Sequence, residues 1–503
     1  MKARQIFTLL AIVVPIAIGY TYLYWKPIIW SFIIVGPLIM LGIFDCIQTK
    51  RSIRRNFPVI GNLRYLLESF RPEIQQYFVE TDTQGTPINR QFRSLIYSRA
   101  KNEIDTTPFG TKLNLYNPGY ECMVHSLYPN KIEELDQHPR ILFGGKDCKQ
   151  PYSCSIFNIS AMSYGALSSN AILALSKGAK LGNFAHNTGE GGISHYHIDG
   201  GGDLIWQIGT GYFGCRTLEG GFNAEKFSEN ANHPNVKMIE IKLSQGSKPG
   251  HGGILPASKN TEEIAKIRGV KPHTDVNSPP YHTAFNNPEE LMYFIKKLRD
   301  LSNGKPIGFK LCIGSKSEFL ELCDAMIDTD IRPDFITVDG GEGGTGASPV
   351  EFTNSIGMPL REGLAFVTDT LKRYKLKDEI RITASGKTIS AFHIIRLLAL
   401  GADTVNSARA MMMAIGCIQA LKCHTNKCPV GVATQDKRLI RGLDVNNKYV
   451  RVANYHEKTI HALVELLAAA GLKEPNDIHR KHILHRTGPN QMISYTELYP
   501  EGA

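Results

Sequence analysis

Acidic residues are nearly missing from the first 55 positions, which hold Asp45 alone against seven basic residues. The rest of the chain, with 50 basic and 46 acidic residues, is close to neutral, so the net charge of +10 belongs mostly to one end. No stripe of basic residues interleaved with aromatics occurs, which argues against a nucleic-acid partner. There is no internal repeat and no low-complexity segment. With 42% hydrophobic and 21% charged residues, the composition excludes a disordered, collagenous or coiled-coil protein. The ten cysteines lack the pattern of a small disulfide-stapled domain. Seven are scattered (Cys46, Cys122, Cys148, Cys154, Cys215, Cys312 and Cys323) and read as small core residues in a reducing compartment. At 503 residues the chain is too long for one ordinary domain, which predicts a large catalytic module with additions.

Charge is absent from two apolar runs inside the basic end, Phe7–Trp25 and Pro27–Phe44, separated only by Lys26. Each approaches the ~20 residues a bilayer-crossing helix needs, so the pair predicts a tight membrane hairpin. Pro15 and Pro37 are tolerated in such spans, and Trp25 and Trp30 flank the turn as interfacial anchors. Lys2, Arg4 and the Lys50–Arg55 cluster border the hairpin. The positive-inside rule then places both ends, and the catalytic domain, on the cytoplasmic side of the cell membrane. A signal peptide is the competing reading, but the stretch Gly19–Trp25 offers no small-residue cleavage site. A buried hairpin in a soluble core is the other.

From about residue 153, short apolar or β-branched runs alternate with helical patterns. The expected strands are 154–162, 183–187, 204–209, 236–243, 306–313, 334–339, 379–385 and 403–407. Helices are expected at 168–180, 288–301, 317–328, 360–374, 389–400 and 408–421. Eight alternating units predict an α/β fold, a (β/α)8 TIM barrel, with a doubly wound open sheet as the alternative. The expected organisation is a hairpin (1–50), an N-terminal extension (51–150), the barrel (151–440) and a C-terminal helical extension (441–503).

Polar and glycine-rich clusters fall where the expected strands end, the catalytic face of a barrel. One is Asp339-Gly-Gly-Glu-Gly-Gly-Thr-Gly346. Its Gly341-x-Gly343-x-x-Gly346 spacing formally matches a dinucleotide fingerprint, but Ser348-Pro349 follows where a helix must begin, so that reading is rejected. Gly386-Lys387 and Ala408-Arg409 end the last two strands, each just before a helix, and predict a phosphate site. Surface solubility is the plainer role for both cations. Met162-Ser163 and Gly340-Gly341, in two other strand-end loops, are further candidate cofactor contacts. Lys310, inside an expected strand, must meet an anion or water, because burying it unpaired is costly. A flavin's N1–C2=O edge is such a partner; a strand-end lysine reaching solvent is the alternative. Cys417-x5-Cys423-x4-Cys428 places three cysteines in twelve residues. Three soft ligands without a fourth suit an iron–sulfur cluster better than tetrahedral zinc. A Cys3His zinc site with His424, or one core cysteine on a helix beside two unrelated thiols, are the alternatives.

Together these segments resemble the FMN-binding synthase domain of glutamate synthases over about residues 155–435. The resemblance is carried by Ile159-Ser-Ala-Met-Ser-Tyr-Gly-Ala-Leu-Ser168, Asn187-Thr-Gly-Glu-Gly-Gly192, Gln245-Gly-Ser-Lys-Pro-Gly250, Gly344-Thr-Gly-Ala-Ser-Pro349 and the cysteine segment through Val432. It implies a (β/α)8 barrel, FMN, and a [3Fe–4S] cluster on Cys417, Cys423 and Cys428. The implied reaction is reduction of the imine formed from 2-oxoglutarate and ammonia. It also implies that Gln245, Lys248 and Arg268 bind the 2-oxo acid and that Glu190 is the active-site glutamate. Lys and Arg suit a dicarboxylate, and a glutamate beside an imine suits proton transfer.

The sequence departs from the family at two loops. Gly250-His-Gly-Gly-Ile254 replaces Gly-Glu-Gly-Gly-Gln, and Ser278-Pro-Pro-Tyr-His-Thr-Ala284 lacks a His and an Asp. An amidotransferase domain and a C-terminal β-helix domain are expected to be absent. The expected protein is therefore a membrane-anchored oxidoreductase of the glutamate-synthase type, served by free ammonia or by an electron- or ammonia-supplying partner. Two alternatives stand beside it. One is a flavin enzyme that oxidises another amino or hydroxy acid and passes electrons to a quinone or redox partner. The other is a non-enzymatic relay that retained the fold.

Overall fold

The computed structural model describes residues 3–502; Lys2, one of the flanking cations, lies outside them. The chain divides into two compact units, Met1–Arg90 and Gln91–Ala503.

In the first unit, helices α1 (Ala3–Tyr22) and α2 (Phe32–Ile47) are joined by a turn at Lys26–Ser31. Pro15 and Pro37 lie inside them. Most of their large apolar side chains are exposed, and Ile18 alone among them is buried. The two stretches long and apolar enough to cross a bilayer are Ala3–Tyr22 and Lys26–Ile47. Gly42 lies where a Cβ would run into the Phe7 ring, so the lack of a side chain lets the helices approach.

In the second unit, β1 (Phe157–Ile159), β2 (Ala185–Asn187), β3 (Asp203–Ile208), β4 (Val236–Lys242), β5 (Ile307–Leu311), β6 (Phe335–Asp339), β7 (Arg381–Ser385) and β8 (Thr404–Ser407) form a closed parallel barrel. Each strand pairs with the next, and β8 closes onto β1 through Val405↔Phe157 and Ser407↔Ile159. Every residue of β5 and β6 is buried, as continuous apolar strands between an interior and a helical ring must be. The eight strands fall where the alternation of sequence patterns places them. One expected strand is broken, however. Tyr152–Ser155 pairs antiparallel with Arg140–Phe143 instead of entering the barrel. Phe143, Tyr152 and Cys154 pack against Ala185, Ile205, Met238 and Phe335 and close the end where strands begin. The opposite end, where they finish, stays open for a site.

Helix boundaries follow local signals. Ser168 caps Ser169–Leu181 by accepting the Ala171 N–H at 3.2 Å, and Asn287 with Pro288 starts Pro288–Leu301. The expected 408–421 helix instead stops at Ala414. Gly416, Gln419 and Leu421 all take positive φ just beyond it, and end it there. Cys417 is therefore a loop residue and not a core cysteine on a helix. The C-terminal extension is helical over Val445–Ala469, but the hairpin Ile483–Gly488 and Gln491–Ser494 follows and pairs with Glu121–Met123. Glu121 ties that sheet to the barrel helices. Its carboxylate accepts from His485 Nδ1 at 2.9 Å, Tyr495 OH at 2.8 Å, and the Arg361 and Arg396 guanidiniums.

Candidate active site

The loop after β2 carries Glu190 and the end of β4 carries Lys242, whose Nζ lies 2.8 Å from Glu190 Oε1. Burial would raise the Glu190 pKa, but Lys242, then Lys248 and Arg268, hold it below the ordinary carboxylate range. The four groups are thus electrostatically one cluster. Glu190 and Lys242 line a pocket with Gln245, Thr210, His251 and Pro280. Lys248 Nζ donates to the Gly252 carbonyl at 3.0 Å. Burial, with Lys242 nearby, lowers its pKa to about 8 despite the opposing pull of Glu190. Arg268 donates to the Tyr164 carbonyl at 3.2 Å, and its guanidinium carbon lies 5.1 Å from the centre of the Phe213 ring. Lys242, Lys248 and Arg268 thus place three positive charges around the single carboxylate of Glu190.

Glycine is required at two points of this pocket. Gly189 has φ +63, and a Cβ there would lie 2.9 Å from the Ser163 backbone nitrogen. A Cβ on Gly246 would run into the Gly340 carbonyl. Those two approaches bring the Glu190 loop against Met162-Ser163 and the Gln245–Lys248 loop against Gly340.

Lys310, on β5, does not reach solvent. Its Nζ lies 3.3 Å from Asp339 Oδ2 at the end of β6, and Asp339 also accepts the Gly246 N–H at 3.0 Å. Burial pushes the Lys310 pKa down, but Asp339 and Glu240 together hold it above the ordinary lysine value. The buried cation therefore already has a carboxylate partner on the chain.

At the ends of β7 and β8, Lys387 and Arg409 lie near one another. Burial lowers the pKa of both; Arg409 lowers Lys387 further, while Glu342 opposes the fall in each. Arg409 donates to the Glu342 carbonyl at 2.9 Å. Lys387 takes φ +40, a left-handed conformation costly for a side-chain-bearing residue. The turn is held by Ser407 Oγ donating to the Thr388 carbonyl at 2.6 Å. Two cations thus stand at the neighbouring ends of β7 and β8, with Glu342 within electrostatic reach of both. Gly386 and Ala408 belong to the same two turns. Gly340 and Gly341 donate their N–H groups to the Ser385 and Met358 carbonyls, so they give close backbone approach and not phosphate donors.

Cys417, Cys423 and Cys428 lie on the loop after the short helix Arg409–Ala414 and form no disulfide. Burial raises the Cys417 pKa to about 12, and the other two thiols add to the rise. Among the described residues, no group of three or more His, Cys, Asp or Glu is set to hold a single metal ion. The Cys417 thiol is within electrostatic reach of the other two. Lys259 is buried beside them and donates to the Cys423 carbonyl at 3.0 Å and the Ala166 carbonyl at 2.7 Å. A Cβ on Gly346 would lie 3.2 Å from that of Cys423, so the glycine loop after β6 adjoins the cysteine loop.

Four features were not anticipated. Lys242 pairs with Glu190; Lys259 sits by the thiols. His282 donates through Nε2 to the Lys242 carbonyl at 2.9 Å and contacts the Tyr212 hydroxyl at 3.1 Å through Nδ1. Tyr212 also accepts the Thr283 and Ala284 N–H groups. Finally, Glu240 accepts from Asn187 at 2.8 Å and from Gln207 and Thr337 at 2.6 Å, cross-bracing the barrel interior. Polar residues inside otherwise apolar strands were the available signal for that network.

A closed parallel barrel with a charged pocket at its C-terminal strand ends has the layout of an α/β-barrel enzyme. A family profile described as a conserved region in glutamate synthase matches residues 126–473. The chain belongs to the glutamate synthase family and is an oxidoreductase of that type. It is 38% identical to the glutamate synthase large subunit-like protein YerD of Bacillus subtilis, covering 93% of this chain and 96% of that one. It is 35% identical to the archaeal glutamate synthase [NADPH] of Methanocaldococcus jannaschii over 62% of this chain and 58% of that protein. The chain thus spans under two thirds of the archaeal relative. A solved flavocytochrome b2 with sulfite bound has a TM-score of 0.45 to this chain at 11% identity, over 84% of this chain and 85% of that one.

Proposed function

We propose that the protein uses FMN and a [3Fe–4S] cluster to reduce a 2-imino or 2-oxo acid, with 2-oxoglutarate and ammonia giving glutamate, and that the N-terminal hairpin anchors it in the cell membrane with the barrel in the cytoplasm. The observation that carries this reading is the single electrostatic cluster of Glu190, Lys242, Lys248 and Arg268 at the open end of the barrel. The residues fit FMN: Lys387 and Arg409 supply charge for its phosphate, Lys310 a cation in the barrel interior, and Met162, Ser163, Gly340, Gly341, Gly386 and Ala408 the surrounding backbone. When bound, the flavin supplies the electron pair. Cys417, Cys423 and Cys428 would ligate the cluster.

In this mechanism Lys248 and Arg268 bind the carboxylates of the 2-oxo acid, and Gln245 orients it in the pocket. Glu190, kept ionised by Lys242, accepts a proton from the nitrogen as ammonia adds to the 2-oxo acid and faces the protonated imine that forms. The pocket's loops exclude bulk water. His251 lies in the loop where the family sequence differs, and it lines the same pocket.

The test is anaerobic. The full chain, reconstituted with FMN and iron–sulfur cluster and then reduced, should be reoxidised by 2-oxoglutarate only when ammonium is present, with glutamate formed. A second reading is favoured by α1 and α2, since a bilayer offers quinone. There the same pocket would oxidise an amino or hydroxy acid. Reoxidation by a quinone analogue, with none by 2-oxoglutarate and ammonium, would select that reading over the first.

A further inference from the structure

We infer that the segment 60–79, just after α2, is an amphipathic helix that lies in the headgroup layer of an anionic membrane. This rests on the reading of α1 and α2 as membrane spans.

The helix α3 (Gly61–Ile74) continues into a wider turn at Gln75–Val79. Ile60, Leu63, Leu67, Phe70, Ile74 and Phe78 recur at three- and four-residue intervals, and each is 43–85% exposed. At 100° per residue they form one apolar stripe. An exposed stripe of large apolar side chains marks a surface that something covers. Arg64 and Glu68 occupy other positions around the helix and pair with each other at 3.0 Å.

Two observations make lipid the occupant. The first is attachment. Asp45, fully buried near the end of α2, accepts the Val59 N–H at 3.0 Å and the Asn62 side-chain amide at 2.5 Å. Gly61 packs so closely on Ile53 and Arg54 that a Cβ would lie 3.0 Å from their backbone atoms. The start of α3 is thereby fixed to the end of a candidate span instead of trailing on a free linker. The second is charge. Lys50, Arg51, Arg54, Arg55, Arg64 and Arg71 stand against Glu68 and Glu73 over residues 50–74. Arg51 and Arg54 lie 4.3 and 4.7 Å from the centre of the Tyr65 ring. The helix itself is balanced, Arg64 and Arg71 against Glu68 and Glu73, and the basic excess lies in Lys50–Arg55 just before it; a basic segment leading into a helix with an exposed apolar face suits anionic headgroups above acyl chains.

The experiment places photoreactive benzoylphenylalanine at Phe70, at Glu68 or at Ile34 of the full chain, reconstituted in vesicles of phosphatidylcholine with phosphatidylglycerol. Phe70 should cross-link lipid, Glu68 should not, and Ile34 in α2 should cross-link acyl chains as the control for spanning. Replacing phosphatidylglycerol by phosphatidylcholine should lower the Phe70–lipid yield about fivefold. A Phe70 adduct to a second copy or to residues 91–503, with Ile34 still labelling lipid, overturns the proposal and leaves the anchor standing. Loss of lipid adducts at Ile34 overturns the anchor reading and this inference with it. A Phe70–lipid yield unchanged by headgroup charge overturns the anionic assignment.

Discussion

Glu190 and Lys242 meet at 2.8 Å across the mouth of the barrel, one from the loop after β2 and the other from the last position of β4. Parallel barrel geometry makes this meeting possible, because every strand ends on the same face. Lys242 is thus the principal reason that a deeply placed carboxylate stays ionised.

Glu190→Gln should lower the rate of substrate-dependent flavin reoxidation by roughly 100-fold or more, the usual contribution of a positioned acid–base group. Lys242→Met should act through Glu190. With its partner gone, the Glu190 pKa rises, so the acid limb of the pH–rate profile should move to higher pH. A profile that falls uniformly without moving would deny Lys242 this role.

Lys248 gives a prediction on the alkaline side. Burial lowers its pKa to about 8, so the free enzyme loses this positive charge as pH rises through that value. The KM for an anionic 2-oxo acid should therefore climb above pH 8 while kcat changes little. Lys248→Arg, with a cation that stays protonated, should abolish that climb. Steady-state kinetics between pH 6 and about 9.5 reads both effects, and an alkaline KM that rises equally in both proteins counts against the assignment.

How much of this was legible in the sequence follows from the range of each interaction. The strands were readable because burial on both faces leaves a continuous apolar run, as in Phe335–Asp339. The Ser168 and Asn287 caps were local too. Glu190, Lys248 and Arg268 stood out only through the family resemblance. Lys242, His282 and Lys259 owe their places to partners tens of residues away, and nothing adjacent in the chain encodes that. The pairing of Tyr152–Ser155 with Arg140–Phe143 was missed for a related reason. An apolar run reads alike whether it enters the barrel wall or closes its floor.

Glu121 supports a stability prediction away from the site. Burial would raise its pKa, but Arg396 and Arg361 hold it down to about 2. A carboxylate depressed in the folded state contributes stability above its unfolded pKa of about 4.3. That contribution is lost as pH falls from there toward 2. Glu121→Gln leaves two arginines facing a neutral amide and should cost roughly 3 kcal/mol at pH 7. The cost should vanish in acid. Chemical unfolding of both proteins at pH 7 and below the folded-state value of about 2 measures this; an equal deficit at the two pH values would rule out the charge argument.

The cysteine loop separates ligation from electrostatic tuning. If Cys417, Cys423 and Cys428 hold a cluster, Cys423→Ala should remove bound iron and the oxidised cluster's paramagnetic resonance signal. Lys259 should behave differently, because it donates to the Cys423 and Ala166 carbonyls and not to a thiol sulfur. A buried ammonium beside a redox centre stabilises the added electron, since local charge and hydrogen bonding set such potentials. Lys259→Met should therefore retain iron yet shift the cluster's reduction potential to more negative values, as read by a redox titration followed by paramagnetic resonance. Loss of iron in Lys259→Met would make the lysine a structural brace of the loop. Full iron in Cys423→Ala, whose side chain offers no sulfur or oxygen ligand, would remove Cys423 from cluster binding.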